Sequence, residues 1–334
     1  MNKDWMRDKF EGLADFVYPS GIYCVICGNY IDKTRTYSMC DHCIRHIDWG
    51  NIKVDLASLP DYLENSEYVD SVRACFKYGL YGRRLIFELK YNDHSYVARI
   101  CGKIAADRIA NDPDAEEILA CDLVTGVPVS AARIKKRGYN QAEKIAKYFC
   151  AEMACQRQAG RQRQAGRQAG RREAELRGAA AGSQGALRHV PDLICRVKDT
   201  EALRSLSPRE RSERLAGAFA INPKKARLAC GKKVVLIDDI HTTGATINYC
   251  AEALKRAGAS EVHVLVLATR VKGERDNLSD CKNFESRTTA GSERFAMGGG
   301  RFAAGERFAG GRDFASEKFA ADEDFAQDEE LCEK

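Results

Sequence analysis

The segment most informative about the architecture is Val234-Val-Leu-Ile-Asp238-Asp239-Ile-His-Thr242-Thr243-Gly244-Ala245-Thr246. Its apolar start predicts a buried strand over Lys233–Ile237 that ends at the two acids. A helix is expected over Ile247–Ala257, because Gly258 is a favourable residue for ending a helix. Ligands of α/β folds bind at the carboxyl ends of strands. This order of strand, loop and helix therefore predicts a ligand site at the acid pair.

The loop after the acids has the composition of a ribose phosphate site. Backbone N–H groups and Thr hydroxyls at a helix N-terminus bind a phosphate dianion, and Gly244 lets the backbone approach closely. The two carboxylates can accept hydrogen bonds from vicinal ribose hydroxyls. The alternative is a plain strand-turn-helix with solvated acids and a Thr cap, but the specific order of residues favours a site. The predicted ligand-binding residues are Asp238, Asp239, Thr242, Thr243, Gly244, Ala245 and Thr246.

A second motif is Asp122-Leu-Val-Thr-Gly-Val-Pro128-Val-Ser130. It predicts a strand over Leu123–Val129 that ends in a tight loop, followed by a helix over Ala131–Met153 whose start is basic, with Arg133 and Arg137. Cations close to the first site would neutralise the charge of an anionic leaving group as it departs. The alternative is a solvated basic helix face, but the acid-pair loop elsewhere in the chain favours a binding role.

Paired cysteines predict a metal site near the start of the chain. Cys24-Val-Ile-Cys27 is separated by twelve residues from Cys40-Asp-His-Cys43. Each pair places two thiolates on one tight turn, and four thiolates complete the tetrahedral shell of a structural Zn²⁺. His42 and His46 are alternative ligands. Chance pairing and a redox Cys-x-x-Cys are the other interpretations.

Apolar strands alternate with amphipathic helices through the middle of the chain. Strands are expected over Tyr68–Tyr78 and Val262–Ala268, and helices over Tyr81–Lys90 and Ser95–Ile109. This alternation predicts an α/β fold with a mainly parallel sheet covered on both faces. The pair Lys90-Tyr91 at a helix end could reach a phosphate or stack on a base, and it could equally lie on the surface.

Two low-complexity segments interrupt this pattern. Residues 156–188 repeat Gln-Ala-Gly-Arg, and residues 276–334 repeat Phe-Ala at a spacing near six. Neither composition supports a packed core, so both segments are expected to be disordered. The expected organisation is an N-terminal helix and zinc ribbon (1–48), a connector (49–66), a main domain (67–275) that contains the insertion 156–188, and the tail 276–334.

The charge distribution argues against a nucleic-acid-binding core. The net charge is +5. Eight arginines and two glutamates give segment 156–188 a charge of +6, which leaves −1 for the remaining chain. No apolar run is long enough to cross a membrane, and the start Met1–Phe10 is charged. We therefore expect a cytoplasmic protein without membrane insertion. The sequence carries no signal for an oligomeric state.

In the order and spacing of its motifs, the chain resembles the ComF family of competence-associated, phosphoribosyltransferase-like proteins. The resemblance spans about residues 20–270. The matching pieces are the two Cys-x-x-Cys pairs, Leu85-Ile-x-x-Leu-Lys90-Tyr91, Val127-Pro128-Val129, Arg133, Arg137-Gly-Tyr-Asn-Gln-Ala142 and the acid-pair loop.

The resemblance implies a type I phosphoribosyltransferase fold preceded by a small zinc ribbon, and a link to DNA uptake. It implies that the ligand is phosphoribosyl pyrophosphate with Mg²⁺, and that Asp238 and Asp239 are the catalytic acids that hold the ribose. It assigns the second motif to pyrophosphate, through Val127, Pro128, Val129, Ser130, Arg133 and Arg137.

Two functions remain open at this point. The first is an enzyme that transfers ribose-5-phosphate to a nitrogen acceptor. The second is a non-catalytic module that senses phosphoribosyl pyrophosphate or a nucleotide, while its zinc ribbon contacts single-stranded DNA or a protein of the uptake machinery. The ribbon's mixture of Lys33, Arg35, Arg45 and tyrosines suits the second function.

Overall fold

The computed structural model describes residues 22–32, 34–50, 52–54, 67–91, 95–169, 187–198, 208–241 and 244–269. Of these, residues 22–44 belong to one compact unit and residues from Arg45 onward to a second. The expected N-terminal helix, most of the connector and the tail 276–334 lie outside the described residues.

The first unit is a small turn-rich segment that contains the cysteine pairs. Tyr23 and Tyr30 form an antiparallel bridge, and Gly28 adopts a φ of 73° in the turn between them. The Gly28 N–H donates to the Cys24 carbonyl at 2.8 Å. A short helix, α1 (Asp41–His46), begins immediately after Cys40 and contains the buried Cys43. These turns bring residues from both ends of the segment together.

The described residues of the second unit form two sheets. Its strands are β1 (Ile52–Lys53), β2 (Ser71–Lys77), β3 (Leu123–Gly126), β4 (Arg188–His189), β5 (Ile194–Arg196), β6 (Phe219–Ile221), β7 (Lys233–His241) and β8 (Glu261–Thr269). The main sheet has the order β1-β2-β8-β7-β3-β4. Strand β1 is antiparallel to β2, and the other four pairings are parallel. Strands β5 and β6 form a separate antiparallel pair.

Helices cover both faces of the main sheet. They are α2 (Leu80–Tyr91), α3 (Ser95–Ala110), α4 (Glu116–Leu119), α5 (Ala131–Arg137), α6 (Gln141–Ala169), α7 (Pro208–Leu215), α8 (Ala226–Ala229) and α9 (Ala245–Arg256). Helix α6 contacts α3, β3 and β7, whereas α9 contacts α7 and the β5–β6 pair. The expected α/β fold with a mainly parallel sheet is confirmed.

The side chains on both faces of β7 are buried. Val234, Val235, Leu236 and Ile237 are all at most 1% exposed. Val234 and Leu236 belong to the core cluster that contains Ile247 and Leu254 of α9. Successive side chains of a strand point to opposite faces, so Val235 and Ile237 face the other helical layer. A central strand of this kind needs a continuous apolar sequence, which is the pattern that predicted it.

Strand β7 is longer than the sequence predicted. The acid pair was expected to end the strand, but β7 continues to His241. Residues Asp238, Ile240 and His241 pair with Val266, Ala268 and Thr269 of β8. The neighbouring strand supplies backbone partners beyond Ile237, so hydrogen bonding overrides the low strand propensity of aspartate.

The helix predicted over Ala131–Met153 is divided into two. Helix α5 ends at Arg137, and Gly138 follows with a φ of 75° and donates its N–H to the Ile134 carbonyl at 2.7 Å. A left-handed glycine at this position terminates a helix. Helix α6 then begins at Gln141. The break places Tyr139 and Asn140 in a turn beside the acid-pair edge of the sheet.

The insertion 156–188 is not wholly disordered as predicted. Helix α6 continues through its first part to Ala169. At its other end, Leu187 is buried and Arg188 pairs with Leu123 in the sheet. The Gln-Ala-Gly-Arg repeats contain good helix formers, which lets a helix already fixed by packing propagate into them. Residues 170–186 lie outside the described part of the chain.

Candidate functional site

The acid pair lies at the carboxyl edge of the sheet, where one side of β7 is open. Strand β3 ends at Gly126, which pairs with Ile237. Asp238 and Asp239 therefore extend beyond the last β3 pairing. The Asp239 backbone N–H donates to the Asp238 carboxylate at 2.8 Å. Both side chains are partly buried, which leaves them accessible to a ligand at this edge.

The two acids differ in their affinity for a proton. Burial and then the neighbouring Asp239 carboxylate raise the pKa of Asp238 to about 8. Burial also acts to raise the pKa of Asp239, but the charges of Lys90 and Arg137 outweigh it and hold this pKa below its ordinary value. Asp238 therefore binds a proton more readily than Asp239.

Lys90 forms an ion pair with the second acid. Its ammonium nitrogen lies 3.2 Å from Asp239 Oδ2, and the two side chains are 16% and 15% exposed. Lys90 lies in the last turn of α2. The sequence left open whether this lysine reaches a phosphate or lies on the surface. The structure places it at the acid pair instead of on a free surface.

The pyrophosphate motif runs alongside the acid pair. The Val127 N–H donates to the Ile237 carbonyl at 2.9 Å, so this loop starts next to Asp238. Ser130 caps α5 by accepting a hydrogen bond from the Arg133 N–H at 3.3 Å. The charges of Arg133 and Arg137 on α5 act on Asp239. The two predicted motifs therefore share one edge of the sheet.

The predicted phosphate loop is described in part. Thr242 and Thr243 lie outside the described residues. Gly244 follows with a φ of 75° at the N-terminus of α9, the conformation that its role in a tight loop requires. Ala245 is buried and Thr246 is half-buried. His241, which ends β7, is 3% exposed, and burial lowers its pKa to about 4, so it is neutral at neutral pH.

Sequence reasoning missed a group of residues that supports the two motifs. The Asn140 side-chain amide donates to the Val127 carbonyl at 2.9 Å, and the Tyr139 hydroxyl donates to the Leu89 carbonyl at 2.6 Å. One short turn thus fixes both the pyrophosphate loop and the end of α2. The signal was the Gly-Tyr-Asn sequence after Arg137, because Gly and Asn favour turns.

A carboxylate also anchors the end of β3. Glu143 Oε2 accepts a hydrogen bond from the Gly126 N–H at 3.2 Å, and Glu143 Oε1 lies 2.5 Å from His189 Nε2 of β4. A side chain at Gly126 would meet the α6 backbone, with a Cβ only 2.4 Å from the Glu143 nitrogen. No sequence motif signalled this contact, which depends on the packing of α6 against the sheet.

The four predicted metal ligands of the first unit converge. The sulfur atoms of Cys24, Cys27, Cys40 and Cys43 all lie within 4.8 Å of one another. The Cys27 and Cys40 sulfurs are 3.7 Å apart. A tetrahedral site with Zn–S bonds of about 2.3 Å has sulfur–sulfur edges of about 3.8 Å. The cluster therefore has the donor set and the dimensions of a tetrathiolate metal site. His42 and His46 are not part of it.

An exposed aromatic pair lies in the same unit. The Tyr23 and Tyr30 side chains are 65% and 74% exposed. Their rings are arranged edge to face, with centroids 6.4 Å apart.

Across the described part of the chain, no helix has both the length and the apolar composition required to cross a bilayer.

Comparisons with known proteins identify one family model and several relatives of this chain. A family model described as phosphoribosyl transferase domain matches residues 89–297. The chain is 20% identical over 248 residues to Competence protein F of Haemophilus influenzae, which covers 73% of this chain and 90% of that protein. It is 26% identical over 183 residues to DNA utilization protein YhgH of Salmonella typhimurium, which covers 55% of this chain and 65% of that protein.

Among solved structures, the chain is similar to glutamine phosphoribosylpyrophosphate amidotransferase from B. subtilis, complexed with ADP and GMP. The two are 18% identical, and the match covers 51% of this chain and 25% of that chain with a TM-score of 0.27.

Proposed function

Because the chain belongs to the phosphoribosyl transferase domain family and, within it, to the ComF family, we propose that it binds phosphoribosyl pyrophosphate and transfers its ribose-5-phosphate to a nitrogen acceptor. The observation that carries this proposal is the shared edge at which the acid pair meets three cations. Lys90 contacts Asp239 directly, and the charges of Arg133 and Arg137 act on the same carboxyl. Such a ligand needs carboxylates that accept hydrogen bonds from its ribose hydroxyls and cations that bind its phosphates.

The proposed roles follow the geometry of the edge. Asp238 and Asp239 accept hydrogen bonds from the two ribose hydroxyls. The N-terminus of α9, from Gly244 to Thr246 together with Thr242 and Thr243, receives the 5′-phosphate. The pyrophosphate lies against the loop that begins beside Ile237 and against the start of α5. Its partners are Val127, Pro128, Val129, Ser130, Arg133 and Arg137.

Transfer requires cleavage of the bond between the anomeric carbon and pyrophosphate. The acid pair stabilises the developing positive charge of an oxocarbenium-like ribose, and the two arginines stabilise the departing pyrophosphate. Asp238 and Asp239 would hold Mg²⁺ together with the ligand, and the ion would supply further charge neutralisation. Carboxylate oxygens are the hard donors that Mg²⁺ prefers, so these residues fit the ion.

The proposal is tested by calorimetric titration of phosphoribosyl pyrophosphate with Mg²⁺. We expect binding by the wild-type protein and at least about a hundredfold weaker binding by the Asp238→Asn, Asp239→Asn double variant, because two charge-assisted contacts are lost. Lys103→Met is a matched control, since Lys103 pairs with Glu152 and Asp107 outside the site. Equal affinity of the wild type and the double variant would contradict the proposal. Release of pyrophosphate on adding purine, pyrimidine or ammonia acceptors then tests transfer.

A second candidate function is a sensing module without catalysis. The exposed pair of Tyr23 and Tyr30 favours it, because aromatic rings provide stacking surfaces for the bases of single-stranded DNA. The names of the relatives, which refer to competence and DNA utilization, point in the same direction. Salt-dependent binding of single-stranded DNA that is lost in a Cys40→Ser, Cys43→Ser variant supports this function. Absence of pyrophosphate release with every acceptor would favour it over transfer.

We also propose that the tetrathiolate cluster binds a structural Zn²⁺. Four cysteine ligands complete the coordination of the ion, which leaves no position for a substrate. Among the described residues of this unit, 22–32 and 34–44, few apolar side chains are buried, Ile26 and Met39 among them. A segment of this size needs a metal to remain folded.

A further inference from the structure

The ion pair between Lys90 and Asp239 has a consequence for metal binding. Asp238 and Asp239 are adjacent carboxyl groups at an accessible edge, an arrangement that could attract a divalent cation without any other ligand. In this structure the ammonium of Lys90 occupies the position next to Asp239 Oδ2, at 3.2 Å. A cation that binds Asp239 must therefore displace Lys90 or share the carboxylate with it.

The end of α2 is fixed so that Lys90 remains at this position. Leu85 and Leu89 of α2 are fully buried, and Ile86 is 1% exposed. The Leu89 carbonyl accepts the hydrogen bond of the Tyr139 hydroxyl at 2.6 Å. Tyr139 itself is 8% exposed. Leu89 is therefore held by both packing and a hydrogen bond. This fixes the backbone from which the Lys90 side chain extends.

The charge around the acids also disfavours a bare cation. The charges of three positive groups, Lys90, Arg133 and Arg137, act on Asp239. These three cations repel a divalent ion that arrives alone. A ligand with several phosphates reverses the balance, since it brings the metal already neutralised and offers anionic oxygens to the displaced ammonium.

We propose that Lys90 excludes divalent cations from the acid pair unless they arrive together with a polyphosphate ligand. This inference rests on the proposed function and specifies the order of binding, because the metal and phosphoribosyl pyrophosphate then enter the site as one complex. Lys90 acts here as a counter-ion of Asp239 and not as a catalytic residue.

The experiment measures binding of Mn²⁺ alone, counted as free Mn²⁺ by electron paramagnetic resonance, to the zinc-loaded full chain. Lys90→Met keeps the aliphatic stem and removes the charge. We expect its affinity for Mn²⁺ to exceed that of the wild type by at least about tenfold, since one charge close to the carboxylates is removed. The gain should disappear in the Lys90→Met, Asp239→Asn double variant, and Lys103→Met should behave like the wild type.

Three outcomes would overturn the proposal. These are an unchanged Mn²⁺ affinity in Lys90→Met, a gain that survives Asp239→Asn, or tight binding of Mn²⁺ alone by the wild type. Lys90→Gln, which retains a polar end, replaces Lys90→Met if the latter does not fold. The result is separable from the proposed function. If phosphoribosyl pyrophosphate does not bind the wild type, the proposed function fails whatever Mn²⁺ does, whereas unchanged Mn²⁺ binding leaves that function standing.

Discussion

At the scale of single residues, Asp238 and Asp239 have the same side chain but opposite pKa shifts. Burial and the neighbouring Asp239 carboxylate raise the pKa of Asp238 to about 8. The pKa of Asp239 is lowered, because the charges of Lys90 and Arg137 outweigh the effect of burial. The difference comes from position along β7, since Lys90 forms its ion pair with Asp239 and the Asp239 carboxylate in turn acts on Asp238. A ligand whose hydroxyls donate to both acids favours the ionised form of each, so binding must remove the proton from Asp238.

This pKa shift predicts a pH dependence of binding. Below about pH 8 the empty site holds a proton on Asp238, and the ligand expels it. The affinity for phosphoribosyl pyrophosphate with Mg²⁺ should therefore rise with pH up to about 8, by at most about tenfold per pH unit, and then level off. Calorimetry in buffers of different ionisation enthalpy measures the released proton. Asp238→Asn is the control, because ionisation of the ligand itself contributes equally to the pH dependence of the wild type and of this variant. If the affinity of the wild type and that of Asp238→Asn rise equally with pH, the expelled proton does not come from Asp238.

At the scale of secondary-structure elements, the site depends on how closely α6 approaches β3. Gly126 is the last residue of β3, and its N–H donates to Glu143 of α6. A Cβ at this position would lie 2.4 Å from the Glu143 nitrogen and 2.6 Å from the Ala142 carbonyl carbon. Both are backbone atoms, which cannot move aside as the end of a side chain can. The pyrophosphate loop begins at the next residue, so a shift of α6 would move it.

We therefore expect Gly126→Ala to lower the free energy of unfolding by about 1–3 kcal/mol, the usual cost of overpacking. It should also weaken binding of phosphoribosyl pyrophosphate, because Val127 and the residues after it are displaced. Urea denaturation and calorimetry measure the two effects. Gly79→Ala is the matched control, since a Cβ there meets no atom within 4 Å. Equal stability of the two variants would show that α6 can adjust.

At the scale of the whole molecule, the chain contains two compact units with different sources of stability. The unit from Arg45 onward has a sheet buried on both faces, in which Phe76, Val124 and Val264 are fully buried. Burial of apolar surface on this scale stabilises a fold without a metal. Residues 22–44 instead converge on four sulfur atoms. The units should therefore respond differently to removal of metal.

A chelator should release about one Zn²⁺ per chain and unfold residues 22–44, while the second unit keeps its helical circular dichroism and its thermal transition. Metal release is followed with a zinc-sensitive dye, and the loss of protection in residues 22–44 by hydrogen exchange. Cys155→Ser is the control for stoichiometry, because Cys155 is exposed and lies outside the cluster. Loss of the second unit's transition on chelation would show that its stability depends on the metal.

The periodic features of the fold could be predicted from the sequence. Lys233–Ile237 and Val262–Ala268 were predicted as strands of a mainly parallel sheet because both are mostly apolar, and both lie in the sheet. The cysteine cluster was predicted because two Cys-x-x-Cys pairs have few structural alternatives. The exact length of β7 could not be predicted, since it depends on backbone partners from β8. The glycine that divides α5 from α6 was visible, but glycine is also tolerated inside helices.

The sequence by itself determined the parallel α/β architecture, the family resemblance, the four converging cysteines and the two loops that carry the proposed ligand site. These depend on residue types and on spacings within short segments. Only the tertiary structure decided that Lys90 contacts Asp239, that Glu143 joins Gly126 to His189, and that Tyr139 fixes the end of α2. These pairs are separated by 17 to 149 residues. No local pattern specifies such contacts, because they form only when packing of the helices on the sheet brings distant backbone segments together.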